Sequence, residues 1–183
     1  MIDRPPGWRF VTHAIVSREG YIADRDGTMP DCLHVPEDQA RFRAALASAD
    51  VTIVGREGHE RHPAGERRRV VLTSRIDGIA RDGASVIWWN PERASLADAL
   101  LALELPNGTA VIAGGTRVMT ALLPITDRFD LVVAEGCTMA DGRPCLVGAG
   151  SVEGVEAELG RAGLTRQSVE PLGTAILQVW QRL

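Results

Sequence analysis

Short apolar runs recur along the chain and define the predicted strands. They cover residues 10–16, 51–54, 70–72, 85–89, 109–113, 130–134 and 175–180. Several of these runs, such as VTIV at 51–54, lack the alternation of a half-exposed strand, and this is typical of strands covered on both faces. We therefore expect a sheet that is buried between two layers.

Helical patterns fall between some of the apolar runs, which favours an α/β fold with a mostly parallel central sheet and flanking helices. Residues 36–48 begin with a proline suited to a first helical turn. Residues 95–104 begin with Ser95 and carry Asp98 three positions later, a capping-box pattern. A third helix is expected at 116–123.

The end of the chain follows a different pattern from the rest. Two strand-like runs flank the turn residues 171–173, and this spacing predicts a C-terminal antiparallel hairpin. The sequence contains no clear linker, repeat or low-complexity tract. We therefore expect one domain over residues 1–183.

Charge and composition exclude several classes of partner. The formal net charge is -4, so the chain lacks the basic surface that nucleic acid binding needs. No apolar run is long enough to span a bilayer, and MIDRPPGWRF lacks the apolar stretch of a signal peptide, which predicts a cytoplasmic protein. The three cysteines, Cys32, Cys137 and Cys145, show no metal-type pairing and are expected to be reduced thiols.

A pair of glycines follows the apolar run at 109–113. Gly114 and Gly115 stand where a buried strand meets the helix that begins with Thr116 and Arg117. Glycine lets a phosphate or a neighbouring backbone approach closely because it has no Cβ. Two interpretations stay open at about even odds, a phosphate-binding turn and a tight turn without a ligand.

Two more strand ends carry small, hydroxyl or cationic residues. The run at 51–54 leads into Gly55 and Arg56, and the run at 70–72 leads into Thr73, Ser74 and Arg75. Strand ends of this kind line the ligand crevice of α/β sheets, and arginine suits phosphate. Each arginine alone is more simply a solvated surface charge, but the three ends together favour a binding site.

Asp38 lies on the apolar face of the helix predicted at 36–48. It comes four residues before Phe42 and so shares its face. Spacing alone favours a cap or dipole partner for its own helix. The alternative is a partly buried acid that contacts a substrate.

A possible metal-binding pair occurs further along the chain. His59 and His62 share a helical face, but no cysteine or acidic cluster accompanies them, so we expect no metal site.

The order and spacing of these pieces resemble the dihydrofolate reductase superfamily. The similarity extends from FVTHAIVSREGYIAD through ADVTIVGREGHE, VVLTS and AVIAGGTRVMTALLP to DLVVAEGCTMADGRPCL. It is strongest to the reductase domain of the bifunctional riboflavin-biosynthesis deaminase-reductase and its stand-alone relatives. The resemblance implies NADPH as hydride donor and a homodimer. The cofactor residues that it implies are Gly55, Arg56, Thr73, Ser74, Arg75, Gly114, Gly115, Thr116 and Arg117.

The resemblance also implies a substrate side. Asp38 matches the substrate-binding acid of dihydrofolate reductases, and Ser17, Glu19 and Asp31 are expected to line the same pocket, with Glu19 as a second catalytic candidate. Ala134 replaces a threonine that normally supports the acid. The implied function is NADPH-dependent reduction of a small, possibly pteridine- or pyrimidine-like substrate. The alternatives are a true dihydrofolate reductase and a non-catalytic NADP-binding module.

Overall fold

The computed structural model describes residues 2–183 of the chain. The strands are β1 (Trp8–Val16), β2 (Tyr21–Ala23), β3 (Val51–Gly55), β4 (Arg69–Leu72), β5 (Ile79–Asp82), β6 (Val86–Trp89), β7 (Gly108–Ile112), β8 (Arg128–Val133), β9 (Arg143–Pro144), β10 (Leu164–Leu172) and β11 (Ala175–Arg182). The helices are α1 (Pro36–Ser48), α2 (Arg56–Arg61), α3 (Leu96–Leu101), α4 (Thr116–Leu122) and α5 (Val152–Arg161). None of these helices is long and apolar enough to cross a membrane.

A nine-stranded sheet organises the fold, in the order β10-β11-β8-β1-β7-β3-β4-β6-β5. The inner strands from β8 to β6 run parallel to one another. The three outer strands are antiparallel to their neighbours, and β10 and β11 form a hairpin. The predicted mostly parallel sheet and the predicted C-terminal hairpin are both confirmed. Because the inner strands are parallel, their carboxyl ends all lie at one edge of the sheet.

The two faces of the sheet are covered unequally. Helices α3, α4 and α5 bury Leu100, Met119 and Leu159 in the main core, together with Phe10 and Phe129. Smaller clusters cover the opposite face, where α1 lies and contains no fully buried residue. The α1 face therefore keeps side chains partly accessible, and a ligand has room to approach them.

Local patterns predicted most of the main elements correctly. α1 covers the predicted residues 36–48, and the Ser95 hydroxyl caps α3 by accepting the backbone N–H of Asp98 at 3.1 Å. α3 ends at Leu101, three residues early, because the chain turns there and Glu104 takes a φ of 61°. The patterns missed β5, which is mostly exposed, and α5, which buries only two residues and contains two glycines.

Two of the three cysteines are bonded, so the expectation of three reduced thiols was wrong. Cys32 and Cys137 form a disulfide with their Cα atoms 5.1 Å apart. Cys145 is free and buried, and burial raises the pKa of its thiol to about 12. The sequence concealed the disulfide because the two partners are 105 positions apart. They meet only when the turn before α1 packs beside the loop that follows β8.

Candidate functional site

Three neighbouring strands bring the predicted cofactor-binding segments to one edge of the sheet, and a fourth strand, β6, adds residues 90–93 beside them. β7, β3, β4 and β6 are adjacent in that order. Their carboxyl ends lead into residues 114–117, 55–56, 73–75 and 90–93, respectively. Backbone hydrogen bonds of 2.9 Å link the strands up to these ends, for example from Ala113 N–H to the carbonyl oxygen of Ile53. The predicted segments therefore lie side by side.

The two glycines after β7 have backbone conformations that other residues rarely adopt. Gly114 has a φ of 109° and Gly115 a φ of 88°. A Cβ placed on Gly114 would have no protein atom within 4 Å, and one on Gly115 would meet only Val118, at 3.7 Å. A tight turn explains the two conformations. The open space beside the bare backbone is what a ligand would need.

Two of the three predicted cofactor-binding arginines, Arg56 and Arg75, differ in their availability. Arg56 begins α2, and its Nη1 lies 2.8 and 2.9 Å from the two carboxylate oxygens of Glu60. Arg75 is exposed, and its backbone N–H donates to Oγ1 of Thr73 at 3.2 Å, which fixes the start of its loop. A phosphate at this edge would meet Arg75 directly. Arg56 would have to leave Glu60 first.

A depression of about 360 Å³ lies where the ends of β4 and β6 meet. Its lining comprises Ser74, Arg75, Ile76, Asp77, Asn90, Glu92 and Arg93. Asn90 is buried and connects the two loops, because Nδ2 donates to the carbonyl oxygen of Ile76 at 2.7 Å and Oδ1 accepts the N–H of Glu92 at 3.1 Å. Sequence reasoning missed Asn90 and Arg93. Their position directly after a buried strand was the available signal.

Asp38 lies in the first turn of α1 but does not cap it. The N-cap residue is Val35, and no side chain makes a capping hydrogen bond there. Burial raises the pKa of the Asp38 carboxyl to about 6, and the charges of Arg41 and Asp130 respectively oppose and reinforce this rise. A carboxyl with this pKa is partly protonated near neutral pH, which suits a proton donor. The cap interpretation therefore loses its main support.

Ser17 and Glu19 form a closed hydrogen-bonded turn between β1 and β2. The buried Ser17 hydroxyl donates to Glu19 Oε2 at 3.0 Å and accepts the N–H groups of Glu19 and Tyr21 at 3.2 and 3.3 Å. Glu19 also accepts the backbone N–H of Met139 at 2.9 Å, and this bond holds the pKa of Glu19 below its ordinary value. Such a carboxyl is ionised at neutral pH. The geometry therefore favours Asp38 over Glu19 as the acid.

Two further predicted site residues are poorly placed: Thr116 is less accessible to a ligand, and Asp31 lies apart from the others. The Thr116 hydroxyl donates to the carbonyl oxygen of Pro144 at 2.5 Å and so ties α4 to β9. It offers a ligand only its lone pairs. The Asp31 side chain is fully exposed in the short turn before α1, with its carboxylate 3.7 Å from Nδ1 of His34. It does not join the half-buried group around Asp38.

Comparison with known proteins identifies the fold. The sequence matches no protein-family model and no curated protein. Solved structures match over nearly the whole chain. A protein from Shewanella sp. PV-4 named for riboflavin biosynthesis gives a TM-score of 0.66 at 17% identity, covering 96% of this chain and 99% of its own. Dihydrofolate reductase from Enterococcus faecalis, solved with NADP(H) and RAB-propyl, gives 0.63 at 20% identity, covering 95% and 96%.

The chain has the dihydrofolate reductase-like fold. The fold expected from the sequence resemblance is thereby confirmed. Within the dihydrofolate reductase-like sheet, the predicted cofactor residues and Asp38 occupy different regions, the former at the ends of β7, β3 and β4 and the latter above β8. The predicted cofactor residues and the predicted substrate acid therefore do not overlap.

His59 in α2 and His62, which follows the helix, both lie beside Arg69. His59 Nδ1 lies 3.3 Å from Nη1 of the buried Arg69, and its ring packs edge-on against Trp88 with centroids 5.2 Å apart. The carbonyl oxygen of His62 accepts a 2.5 Å hydrogen bond from the same guanidinium. Within residues 2–183, no group of three or more potential ligands is placed to hold a metal ion. Arg69 therefore holds the ring of His59 and the backbone of His62, while the His62 side chain is exposed.

Proposed function

We propose that the protein is an NADPH-dependent reductase that transfers hydride to a small molecule. The observation that carries the proposal is the open space beside the bare backbone of Gly114, at the same sheet edge as Ser74 and Arg75. Bare backbone allows a diphosphate to approach closely, and an exposed guanidinium beside hydroxyl groups suits a further phosphate. The E. faecalis reductase, which shares this fold, was solved with NADP(H).

The residues at the sheet edge fit a dinucleotide that carries an extra phosphate. The diphosphate would be held by the glycines at 55 and 114–115, and the extra phosphate by Ser74 and Arg75, with Arg56 as a second cation. Thr73, Thr116 and Arg117 complete the proposed site. When bound, NADPH supplies the hydride, and the protein aligns donor and acceptor.

The proposal predicts a preference for NADPH over NADH that depends on Arg75. A charge-assisted hydrogen bond is worth about 1.5–3 kcal/mol, so Arg75→Ala should weaken NADPH binding about tenfold to a hundredfold and leave NADH binding nearly unchanged. Calorimetric titration with both cofactors measures this. Arg56→Ala is the matched control and should lose less, because Arg56 is already paired with Glu60. Equal affinities of the wild type for the two cofactors would contradict the proposed phosphate site.

On the substrate side, we propose Asp38 as the group that orients or protonates the substrate. Its half-buried carboxyl lies on the less covered face of the sheet and keeps a raised pKa. Hydride addition to a C=N bond needs a proton at nitrogen, and a pteridine- or pyrimidine-like molecule offers both the electrophilic carbon and the basic nitrogen. Ala134 gives Asp38 no hydroxyl partner, so the acid depends on burial for its protonation.

A substrate screen that follows loss of NADPH absorbance tests the function. We expect consumption with the ribosylamino-pyrimidine intermediate of riboflavin biosynthesis or a close analogue, since the resemblance is strongest to that type of reductase. Turnover of dihydrofolate instead would make the protein a true dihydrofolate reductase. Tight NADPH binding without consumption across the panel would favour a non-catalytic module.

We propose further, from the family resemblance, that the protein is a homodimer, although not through β11. That strand lies inside the sheet between β10 and β8 and has no free edge to share. The free edge strand β10 is exposed at seven of its nine positions and carries Pro171, and such polar, interrupted edges resist pairing. Gel filtration with light scattering should give twice the mass of the chain. A monomer at micromolar concentration would refute the dimer and favour the folate alternative.

We also propose a cytoplasmic location, because the expected hydride donor is regenerated there. Cytoplasmic thiol buffers keep most protein disulfides reduced. The bond between Cys32 and Cys137 would therefore be unusual for a protein of this location.

A further inference from the structure

A buried carboxylate lies beneath α1 and binds two guanidinium groups. Asp130, on β8, is only 2% exposed. Arg41 Nη2 donates to its Oδ2 at 2.8 Å, while Arg128 donates from Nε to Oδ1 at 2.7 Å and from Nη2 to Oδ2 at 3.1 Å. His13, its neighbour on β1, has Nδ1 3.6 Å from Oδ2. A carboxylate this deeply buried is tolerated only when such donors satisfy it.

Arg41 has three acids within reach: Glu37 and Asp38 on its own helix, and Asp130 on the sheet beneath. It follows Asp38 by three residues on α1, so the two side chains share a helical face. The structure pairs Arg41 with Asp130. Arg41 binds the more deeply buried carboxylate, Asp130, because less water screens the attraction there. Withdrawal of Arg41 would also leave a buried carboxylate oxygen short of a hydrogen-bond donor.

The remaining groups around Asp38 complete its charge environment. Arg41 comes from its own helix, and His13, Asp130 and Arg128 come from the sheet beneath. Burial lowers the pKa of His13, so this ring is neutral near pH 7. β11 contributes apolar side chains to this face. Arg41 is therefore the cation on the same helical face as Asp38. Which carboxylate Arg41 binds decides whether Asp38 is protonated.

We propose that Asp130 is a positioning residue for Asp38: by binding Arg41, it keeps that guanidinium from pairing with the Asp38 carboxyl, which stays free for the substrate. The role of Asp38 as the acid rests on the proposed function. Whether Arg41 binds Asp130 or Asp38 does not depend on that function. A guanidinium that paired with Asp38 would lower its pKa by about 1–3 units. The acid would then be ionised at neutral pH and would have no proton to give.

Titration of Asp38 by carboxyl NMR, on protein without cofactor or substrate, tests which carboxylate Arg41 binds. Asp130→Asn should release Arg41 and lower the pKa of Asp38 by about one unit or more. The double variant Asp130→Asn/Arg41→Gln should bring it back to within about half a unit of the wild type. Asp130 also acts on Asp38 through its own charge, so the decisive comparison is the effect of Arg41→Gln in the two backgrounds. An equal change in the pKa of Asp38 with Asp130 present and with Asp130→Asn would show that Arg41 does not move to Asp38, and this result would overturn the proposal.

The single variant Arg41→Gln gives a second measurement in which Asp130 keeps its two hydrogen bonds from Arg128. If Arg41 is held away from Asp38, Arg41→Gln should move the pKa of Asp38 by less than about half a unit. A rise of about one unit or more would show that Arg41 pairs with Asp38 in solution and would overturn the proposal, even if Asp130→Asn does not fold.

The activity assay separates this proposal from the proposed function. If the substrate screen fails, the reductase role is lost, but the titration result for Asp38 still holds. If the titration of Asp38 contradicts this proposal, NADPH binding and turnover are unaffected. Once a substrate is known, Asp130→Asn should lose about tenfold in turnover at neutral pH for each unit that the pKa of Asp38 falls. The activity should recover at lower pH, where Asp38 regains its proton.

Discussion

Asp38→Asn is expected to reduce turnover at least about a hundredfold while NADPH affinity stays at the wild-type value. General acid–base assistance is typically worth about 10²–10⁴ in rate, and an amide cannot supply the proton. The cofactor residues lie at the ends of other strands, so their contacts should survive. Turnover measured with the substrate found in the screen, beside an NADPH titration, provides the test.

Glu37→Gln is the matched control, since it makes the same change one residue earlier, on an exposed side chain of the same helical turn. It should leave turnover near the wild-type rate. Wild-type-like turnover in Asp38→Asn would make the acid a structural residue and end its assignment to the substrate.

The same variant should be more stable than the wild type at neutral pH. The folded pKa of Asp38, about 6, lies above its ordinary value of 3.8, so burial of the ionised form destabilises the fold. This cost is absent below about pH 4, and it grows as the pH rises through 6. Asp38→Asn should therefore melt about 2 °C or more above the wild type at pH 8 and no higher at pH 4. Loss of activity with gain of stability would mark Asp38 as a functional residue.

Cys137→Ser is expected to lower the free energy of unfolding by about 2–4 kcal/mol under oxidising conditions. The disulfide closes a loop between partners 105 positions apart, so it removes many conformations from the unfolded chain. Denaturant unfolding with and without a reductant measures the loss.

Cys32→Ser is the matched control for this effect. It breaks the same bond from the other side, so it should cost about the same, and the double variant should cost little more than either single one. With a reductant present, all three variants should approach the wild type. Identical unfolding of the oxidised and reduced wild-type protein would show that the bond contributes nothing to stability.

Local sequence patterns could predict the parts of the fold that local physics decides. Pro36 and the Ser95–Asp98 pair mark helix starts because capping and first-turn geometry involve only neighbouring residues. The unalternating run at 51–54 became an inner strand because its side chains are buried on both faces. The dihydrofolate reductase-like arrangement was recognisable only because several such pieces occur in a characteristic order.

Contacts between distant residues could not be predicted in this way. Nothing near Asp130 in the sequence indicates that Arg41 will reach it, 89 positions away. The pairing of Cys32 with Cys137 depends likewise on how two loops pack. The hydroxyl of Ser17 looked available for a substrate, yet the turn uses it internally, since a serine and a glutamate two residues apart can satisfy each other. Electrostatic roles thus emerge only from the folded chain.

The position of β1 at the centre of the sheet has a consequence for synthesis on the ribosome. β1 leaves the ribosome before the strands that it pairs with, since Trp8 pairs with Gly108 and Val11 with Arg128. At about 5–20 residues per second, this apolar segment waits on the order of ten seconds for its neighbours. A chain that stalls before β7 would leave both edges of β1 open to other chains. Chains truncated between β1 and β7 should therefore aggregate, whereas chains that extend beyond β8 can pair both edges of β1.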